Sequence, residues 1–366
     1  DQRGKGVLHP TDRRQKYPYH VTSDQEGGAQ PGEYVIAEPV GGGRNQKARI
    51  LERIGREDDP KSISLVAIHT HGLPVEFSPN ALAQAERAQP AELGDREDLR
   101  SIPLVTIDGA DARDFDDAVF AEPDSDKKNE GGWRIIVAIA DVAWYVHPDD
   151  DLDSSARERG NSAYFPDRVV PMLPEKLSND LCSLRPGEDR ACIAVDMSIN
   201  KAGNLLSHRF FRGLMRSVAR LTYEQVQAAS DGIPDDKTRH LTKTVIEPLF
   251  GAYTALARAR DYRGTLNLDI PERQVLFQQD GWIEQIVPRA RYDSHRLIEE
   301  FMITANVAAA EALHAKKKPV IYRVHEPPGM GDIEKLRESL NALGFKLARA
   351  GTLRPAHFSG LLEQAM

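Results

Sequence analysis

Five aspartates lie within ten consecutive residues, inside the stretch TIDGADARDFDDAVF at positions 106–120. They are Asp108, Asp111, Asp114, Asp116 and Asp117. Carboxylates at this density repel one another unless a hard cation lies between them, and magnesium and manganese are the cations that such oxygen ligands favour. The apolar run at 104–107 predicts a buried strand directly before them. A solvated acidic loop is the alternative, although such a loop has no reason to interrupt a buried sheet.

The alternation of side chains along a strand predicts which face of the sheet each aspartate points to. A strand over 104–107 places Asp108 at its end, and the next extended segment places Asp114 and Asp116 on one face. Asp117 points to the other face unless the chain turns there. A loop between two strand ends can therefore aim three or four carboxylates at one point. The spacing excludes an EF-hand, which needs acids at alternate positions, a glycine at the sixth and a glutamate at the twelfth.

Composition limits the kinds of protein this chain can be. Its 366 residues are 40% hydrophobic and 28% charged, which suits a globular protein of two or three domains. No apolar run reaches about 18 residues and the N-terminus lacks a hydrophobic signal core, so we expect a cytoplasmic protein with no membrane segment. The net charge of −8 argues against a basic face that coats nucleic acid, so any such contact must be local. Cys182 and Cys192 have no metal-ligand spacing and are interpreted as buried thiols.

The N-terminal region is typical of a small β-barrel. Residues 1–76 contain short apolar runs separated by Gly, Pro and Asp clusters, which predicts about five strands in a Greek-key barrel of the OB type. Such barrels commonly bind single strands, but a barrel that packs and binds nothing fits the strand spacing equally well. A connecting helix follows, with Ser78 as its N-cap and Pro79 at its first position.

From residue 104 onward strands and helices are mixed, so the fold class is α+β. We predict strands at 133–146 and 318–326 and helices at 217–230, 243–264, 294–318 and 332–344, the last ending at Gly344. Were 208–220 also helical, four arginines would form one basic stripe, which suits either a phosphate backbone or a solvated surface. They are Arg209, Arg212, Arg216 and Arg220.

Six segments in order carry a resemblance: LVTIDGADARDFDDAV, VAIADVAWYV, RGNSAYFPDRVVPMLPEKLSNDLCSLRPGEDR, RGTLNLDIPE, HRLIEEFMITAN and YRVHEPP. They resemble the RNB-type catalytic domain of the ribonuclease II and ribonuclease R family, while the stretch REDDPKSISLVAIHTHGLPVEFSP at 56–79 resembles the ribonuclease R branch more than ribonuclease II. The residues before them resemble the cold-shock-like OB-fold of that family. The resemblance implies an OB-fold RNA-binding domain over 1–77 and a connecting helix and linker over 78–101. It also implies a mixed α/β catalytic domain over 102–366 that is incomplete at its C-terminus.

The family resemblance implies a chemistry. Its members are processive exoribonucleases that degrade single-stranded RNA from the 3′ end and release 5′-mononucleotides with the help of magnesium, for which manganese can substitute. Carried over by position, the four motif aspartates are Asp108, Asp114, Asp116 and Asp117, as catalytic residues and metal ligands. Asp111 is interpreted as a structural or supporting residue. This agrees with the residues themselves, because paired cations held by carboxylates can neutralise a phosphate and activate water.

Three further residues match positions that contact RNA in the family. Tyr164, in NSAYFP, matches the aromatic residue that packs against the terminal nucleotide, although a core tyrosine is its ordinary alternative. Tyr223 and Glu300 match positions that face ribose hydroxyls, which is how a site distinguishes RNA from DNA. Glu299 competes with Glu300 for that role, because the two diverge by about 100° on a helix. Three histidines are interpreted as structural because none has a metal-ligand spacing: His147, His295 and His325.

The resemblance does not extend to every segment of the family. The family's later arginine-bearing segment, its C-terminal RNA-binding barrel and its first cold-shock domain have no counterpart in these residues. We therefore keep two hypotheses: an exoribonuclease or a fragment of one, with weak or no activity by itself, and a non-hydrolytic RNA-binding relative of the same fold. Single-stranded RNA is the expected partner, the chain is expected to be a monomer, and association with the RNA-decay machinery is a further expectation.

Overall fold

The acidic stretch bridges two neighbouring strands of a seven-stranded sheet. The computed structural model describes residues 6–12, 14–15, 17–40, 46–266, 270–278, 281–324, 326–347 and 353–365. The chain divides into two units, the first made of residues 1–82, 153–173 and 271–289 and the second of residues 83–152, 174–270 and 290–366. Two segments from the middle of the sequence thus belong to the N-terminal unit.

The strands and helices follow in chain order. The strands are β1 (Gly6–Leu8), β2 (Tyr19–Val21), β3 (Glu33–Val40), β4 (Lys47–Arg56), β5 (Glu97–Asp98), β6 (Val105–Asp108), β7 (Asp117–Pro123), β8 (Trp133–Ala140), β9 (Ala163–Tyr164), β10 (Val169–Val170), β11 (Asp189–Ile199), β12 (Leu205–Arg216), β13 (Ala219–Thr222), β14 (Arg273–Phe277) and β15 (Ile283–Pro288). The helices are α1 (Pro60–Thr70), α2 (Pro79–Arg87), α3 (Asp151–Arg159), α4 (Tyr223–Ser230), α5 (Glu247–Tyr262), α6 (Asp293–Ala315), α7 (Met330–Ala342) and α8 (Pro355–Ala365). Shorter helical turns lie at Lys127–Asn129, Val142–Trp144, Lys176–Leu181 and Thr242–Ile246.

The first unit contains a small sheet with the strand order β1-β2-β4-β3. Helix α1 follows β4 and begins where Asp59 accepts a hydrogen bond from the Lys61 N–H at 2.9 Å. Two hairpins, β9–β10 and β14–β15, also belong to this unit. The sequence predicted about five strands here. The described residues give four strands in this sheet, and α1 follows them because Asp59 caps its start and Pro60 suits the first helical position.

The second unit is built on the seven-stranded sheet, in the order β13-β6-β7-β8-β11-β12-β5. Its central strands are antiparallel, whereas β13 runs parallel to β6 and β5 runs parallel to β12. The run Ile135–Ala138 in β8 is buried without interruption, as expected of a strand covered on both faces. Helices α4, α5 and α6 supply the buried apolar side chains, such as Leu249 and Phe301, that pack with this sheet into one core.

Two sequence predictions are wrong in the second unit. The helix predicted over 217–230 begins only at Tyr223, because the preceding residues form β13 and Thr222 caps α4 by accepting from the Gln225 N–H at 3.2 Å. The strand predicted over 318–326 does not form in its described residues, and Ile321 there is 99% exposed. The composition of this segment favours a strand, but the described residues offer it no neighbouring strand. A strand needs such pairing to be stable.

Other predictions are confirmed. The connecting helix is α2, and Ser78 Oγ accepts from the Ala81 N–H at 3.2 Å. The predicted strand over 133–146 is β8, which stops at Ala140. The three remaining helices are present, and Gly344 takes a φ of +87° just past the end of α7, as a helix-ending glycine does. No helix in the described ranges is both long enough and apolar enough to cross a lipid bilayer.

Candidate active site

The predicted catalytic aspartates lie where two paired strands end. Strands β6 and β7 are antiparallel, with Val105 opposite Val119. The end of β6 at Asp108 and the start of β7 at Asp117 therefore lie side by side. Here and below, this edge of the sheet means the side formed by these strand ends, not an outer strand. The Gly109 N–H donates to Asp108 Oδ1 at 2.7 Å. We call residues 108–117 the acidic loop.

Backbone hydrogen bonds from two other segments fix the acidic loop. The Phe115 N–H donates to Ser183 Oγ at 3.2 Å, and the Phe115 carbonyl accepts from the Leu184 N–H at 2.6 Å. The Asp116 carbonyl accepts from the Ala140 N–H, at the end of β8, at 2.8 Å. Phe115 and Ser183 are both buried. The C-terminal end of the acidic loop, at Phe115 and Asp116, is thus held by neighbouring segments.

Arg220 also contacts the acidic loop. Its Nη2 donates to the Ala112 carbonyl at 2.7 Å, and its guanidinium lies 4.0 Å from the centre of the Phe115 ring. Arg220 stands on β13, so the arginine stripe that a helix would have made does not exist. The other three arginines lie on β12, and each faces an acid: Arg209–Glu97, Arg212–Asp141 at 3.6 Å and Arg216–Asp189 at 2.7 Å. Ion pairing of this kind favours the structural interpretation of those three.

The carboxylates of the acidic loop perturb one another. Burial raises the pKa of Asp117 to about 7, with added repulsion from Asp116 and Asp108. Burial also raises the pKa of Asp108, which faces repulsion from Asp116, Asp114 and Asp111. Asp116 has an exposed surface, yet the protein around its carboxylate desolvates it and raises its pKa, with a contribution from Asp114. Without a cation, negative charge at this edge is unfavourable.

The donors at this edge fit a divalent cation. Asp117 Oδ2 is buried and has no hydrogen-bond partner among the described residues, although buried carboxylate oxygens are normally paired. Hard carboxylate oxygens are the ligands that magnesium prefers. In the described ranges, however, no three acidic, histidine or cysteine side chains are already close enough to enclose a metal ion. The expected convergence of three or four carboxylates is therefore not preformed, and a cation would have to draw them together.

Tyr223 lies at the same edge of the sheet as the acidic loop. Strand β13 runs parallel to β6 with Thr222 opposite Asp108, so α4 begins at Tyr223 directly beside the end of β6. The structure thus places the first residue of α4, Tyr223, beside the end of β6 that carries Asp108. Its ring is partly buried against the main core.

Glu300 lies in a buried ion pair. It is 2% exposed on α6, and its Oε1 is 3.3 Å from Arg260 Nη1 on α5. Burial raises the pKa of Glu300, opposed by Arg260 and Arg263. The neighbouring Glu299 has a side chain that is 44% exposed and pairs with Arg291 at 2.8 Å. A hydrogen bond from Glu300 to a ribose hydroxyl thus stays a prediction, and Glu299 is the more accessible alternative.

Tyr164 belongs to the first unit, on the hairpin β9–β10, and is 67% exposed. The alternative of a core tyrosine is therefore wrong. The turn of this hairpin is held by a hydrogen bond from Ser64 Oγ to Asp167, and the Phe165 N–H donates to the Arg168 carbonyl at 2.8 Å. A fixed turn with an exposed aromatic ring suits stacking on a base.

Several supporting residues escaped sequence reasoning. Ser183 is one, since its bond to Phe115 joins residues 68 positions apart and nothing local signals it. His295 is another: its ring stacks on that of Tyr223 with 3.9 Å between centroids. His147 is exposed, and His325 lies outside the described residues. Cys182 and Cys192 are buried and free, as predicted.

The chain is similar to known proteins over most of its length. Two family models match it, a cold shock domain over residues 8–78 and an RNB domain over residues 96–363. Ribonuclease R of Vibrio parahaemolyticus is 40% identical over 373 residues, which cover 99% of this chain and 44% of that protein. Ribonuclease R of Escherichia coli is 40% identical over 374 residues, covering 98% and 45%. The chain spans less than half the length of these two curated relatives.

Solved structures share the fold. Mycoplasma genitalium RNase R, in complex with ribose methylated single-stranded RNA, has a TM-score of 0.87 at 21% identity and covers 98% of this chain and 59% of that one. Yeast Ssd1, described as a pseudonuclease, has a TM-score of 0.65 at 12% identity and covers 94% of this chain and 44% of that one. At these identities the likeness establishes the fold alone.

Proposed function

This chain belongs to the RNB domain family, and on that premise we propose that it carries the catalytic centre of a 3′-to-5′ exoribonuclease. The enzyme hydrolyses single-stranded RNA processively to 5′-mononucleotides and depends on magnesium, with manganese as a substitute. One observation supports this most: Asp117 Oδ2 is buried without a hydrogen-bond partner among the described residues, near the negative charges of Asp116 and Asp108. An oxygen placed in this way costs stability unless it binds something.

Each predicted residue has a role in this proposal. Asp108, Asp114, Asp116 and Asp117 hold the cation, and the anchored backbone of the acidic loop limits how far they move when they close on it. Bound there, magnesium supplies Lewis-acid chemistry, neutralising phosphate charge and favouring deprotonation of the attacking water. Tyr164 stacks on the terminal base.

The ribose is read by two other groups. Tyr223 follows Thr222, the residue that lies opposite Asp108, and is proposed to hydrogen-bond a ribose hydroxyl. Glu300 is proposed for the second such bond. Because Glu300 is buried against Arg260, it would act by exchanging part of that ion pair for the ribose. Glu300→Gln should then reduce the preference for RNA over DNA, whereas Glu299→Gln should leave it unchanged.

A second candidate function is RNA binding without hydrolysis. The fold match to Ssd1, which is described as a pseudonuclease, supports keeping it. Cellular context stays a prediction under either function: a cytoplasmic monomer that binds single-stranded RNA and works with the RNA-decay machinery.

Asp116→Asn tests the proposal. The change keeps size and removes one negative charge, so in the chain extended at its C-terminus hydrolysis of 5′-labelled single-stranded RNA in magnesium should fall by several orders of magnitude. Affinity for the same RNA should stay equal or improve, because repulsion of the phosphates is smaller. Asp236→Asn is the matched control, since that side chain is 98% exposed and has no role in the proposed site. Normal cleavage by Asp116→Asn, or loss of RNA binding with early melting, would refute the assignment.

A further inference from the structure

Two helices begin at the edge of the sheet that carries Asp108. Helix α4 starts at Tyr223, one residue past the Thr222 that pairs with Asp108. Helix α6 starts beside it, because Ser294 Oγ donates to the Tyr223 carbonyl at 2.8 Å. The Ser294 N–H donates to Gln227 Oε1 on α4 at 3.2 Å, and Ser294 is fully buried. The first turn of α6 therefore holds the backbone of Tyr223.

The next residue of α6 holds the ring of Tyr223. The imidazole of His295 lies nearly parallel to the phenol, with 3.9 Å between centroids and 17° between planes. The His295 ring is itself oriented, because its Nδ1 accepts from the Tyr292 N–H at 3.1 Å. In the neutral ring the proton then sits on Nε2. Tyr292 adds a second ring, at 5.7 Å and 26° from His295.

We propose that His295 is a positioning residue for Tyr223 and thereby sets the preference of the site for ribose over deoxyribose. The inference rests on the proposed function, in which Tyr223 contacts the ribose. A tyrosine at the start of a helix retains rotational freedom about its side-chain bonds unless a neighbour restricts it. Stacking by an imidazole that is fixed at Nδ1 supplies that restriction. The ring of Tyr223, on the residue that follows the strand partner of Asp108, is then held in one orientation.

Two substitutions separate the ring of His295 from its hydrogen bond. His295→Gln removes the ring but keeps an acceptor at the third helical position, where glutamine commonly accepts from the backbone N–H of the cap residue. His295→Phe keeps a flat ring for stacking but removes the acceptor. Tyr223→Phe removes the hydroxyl alone. A merely structural role predicts that the effects of both His295 variants follow their losses in thermal stability.

The assay is equilibrium binding of 5′-fluorescent oligonucleotides in EDTA, where no metal-dependent cleavage occurs. One oligonucleotide is all ribose, and the other has 2′-deoxyribose at its last three positions. The wild-type chain should prefer ribose. His295→Gln and Tyr223→Phe should each lose about 3- to 10-fold of that preference, the worth of one hydrogen bond or ring stack. His295→Phe should retain most of it even where its melting temperature falls.

Three results would overturn the proposal. One is a His295→Gln variant with wild-type preference. Another is a His295→Phe variant that loses as much as His295→Gln. The third is a wild-type chain that binds both oligonucleotides equally or binds neither. Hydrolysis in magnesium is measured in parallel, in this chain and in the same chain extended at its C-terminus: an extended chain that prefers ribose but does not cleave refutes the exoribonuclease assignment and leaves the role of His295 standing.

Discussion

Asp117→Asn should stabilise the metal-free chain, because the wild-type carboxylate is buried beside other acids. The rise in the pKa of Asp117 from its ordinary 3.8 to about 7 corresponds to about 4 kcal/mol at roughly 1.36 kcal/mol per pKa unit. A buried amide that lacks a partner costs about 1–3 kcal/mol. The net gain in the free energy of unfolding at neutral to alkaline pH should therefore be about 1–3 kcal/mol.

The sign of the pH dependence follows from linkage. A carboxyl whose pKa is higher in the folded chain than in the unfolded chain binds more protons when folded. It therefore stabilises the fold at low pH, and this stabilisation is lost as the pH rises from about 4 to about 7. The advantage of Asp117→Asn should consequently be largest at about pH 8 and should vanish or reverse at about pH 4.

Urea titration in EDTA measures this difference. The chain has three tryptophans, and in a Trp282→Phe background the two that remain, Trp133 and Trp144, both lie in the second unit. Asp236→Asn, at a 98% exposed side chain, is the control and should change nothing. Added magnesium should stabilise the wild-type chain more than the variant. A variant that is less stable at high pH, or a difference that does not depend on pH, would refute the account of Asp117 as an uncompensated buried charge.

Three further outcomes are expected. Gly203→Ala should lower the free energy of unfolding by about 2–4 kcal/mol, because Gly203 has a φ of +82° and an added Cβ would lie 2.1 Å from the Ala255 carbonyl oxygen; urea titration checks it. Cys182 and Cys192 should resist iodoacetamide at pH 8 until the chain unfolds, because burial raises the pKa of each thiol to about 12; labelling followed by mass spectrometry checks it. Tyr164→Ala should weaken the binding of short RNAs more than long ones, since long RNAs keep other contacts; equal losses in anisotropy titrations would count against stacking by Tyr164.

The structural features that the sequence predicted correctly are those that depend on residues close together in the chain. The apolar run before Asp108 indicates a buried strand, and that aspartate indeed ends β6. Ser78 followed by Pro79 marks the start of α2 in the same local way. The family was predicted from six ordered motifs, and the RNB and cold shock matches confirm it. Local signals and motif order thus carried both the fold class and the family.

The features that the sequence missed depend on distant contacts or on competing local signals. The residues of β13 were assigned to a helix, because their pairing with β6, more than 100 positions earlier, is invisible in a sequence window. Ser183 and His295 support the site through contacts of the same long-range kind. The start of α1 is a different case, since Asp59 and Pro60 were available as signals and the turn-rich surroundings concealed them.

The acidic loop itself distinguishes the two candidate functions. RNA is a polyanion, so a chain that only binds it loses affinity for every carboxylate placed near its phosphates. The acidic loop also costs folding stability, since burial and mutual repulsion raise the pKa values of Asp108, Asp116 and Asp117. Neither cost brings any benefit to a binding module. Both are offset if a divalent cation joins these carboxylates to a phosphate. The charges therefore favour hydrolysis over binding alone.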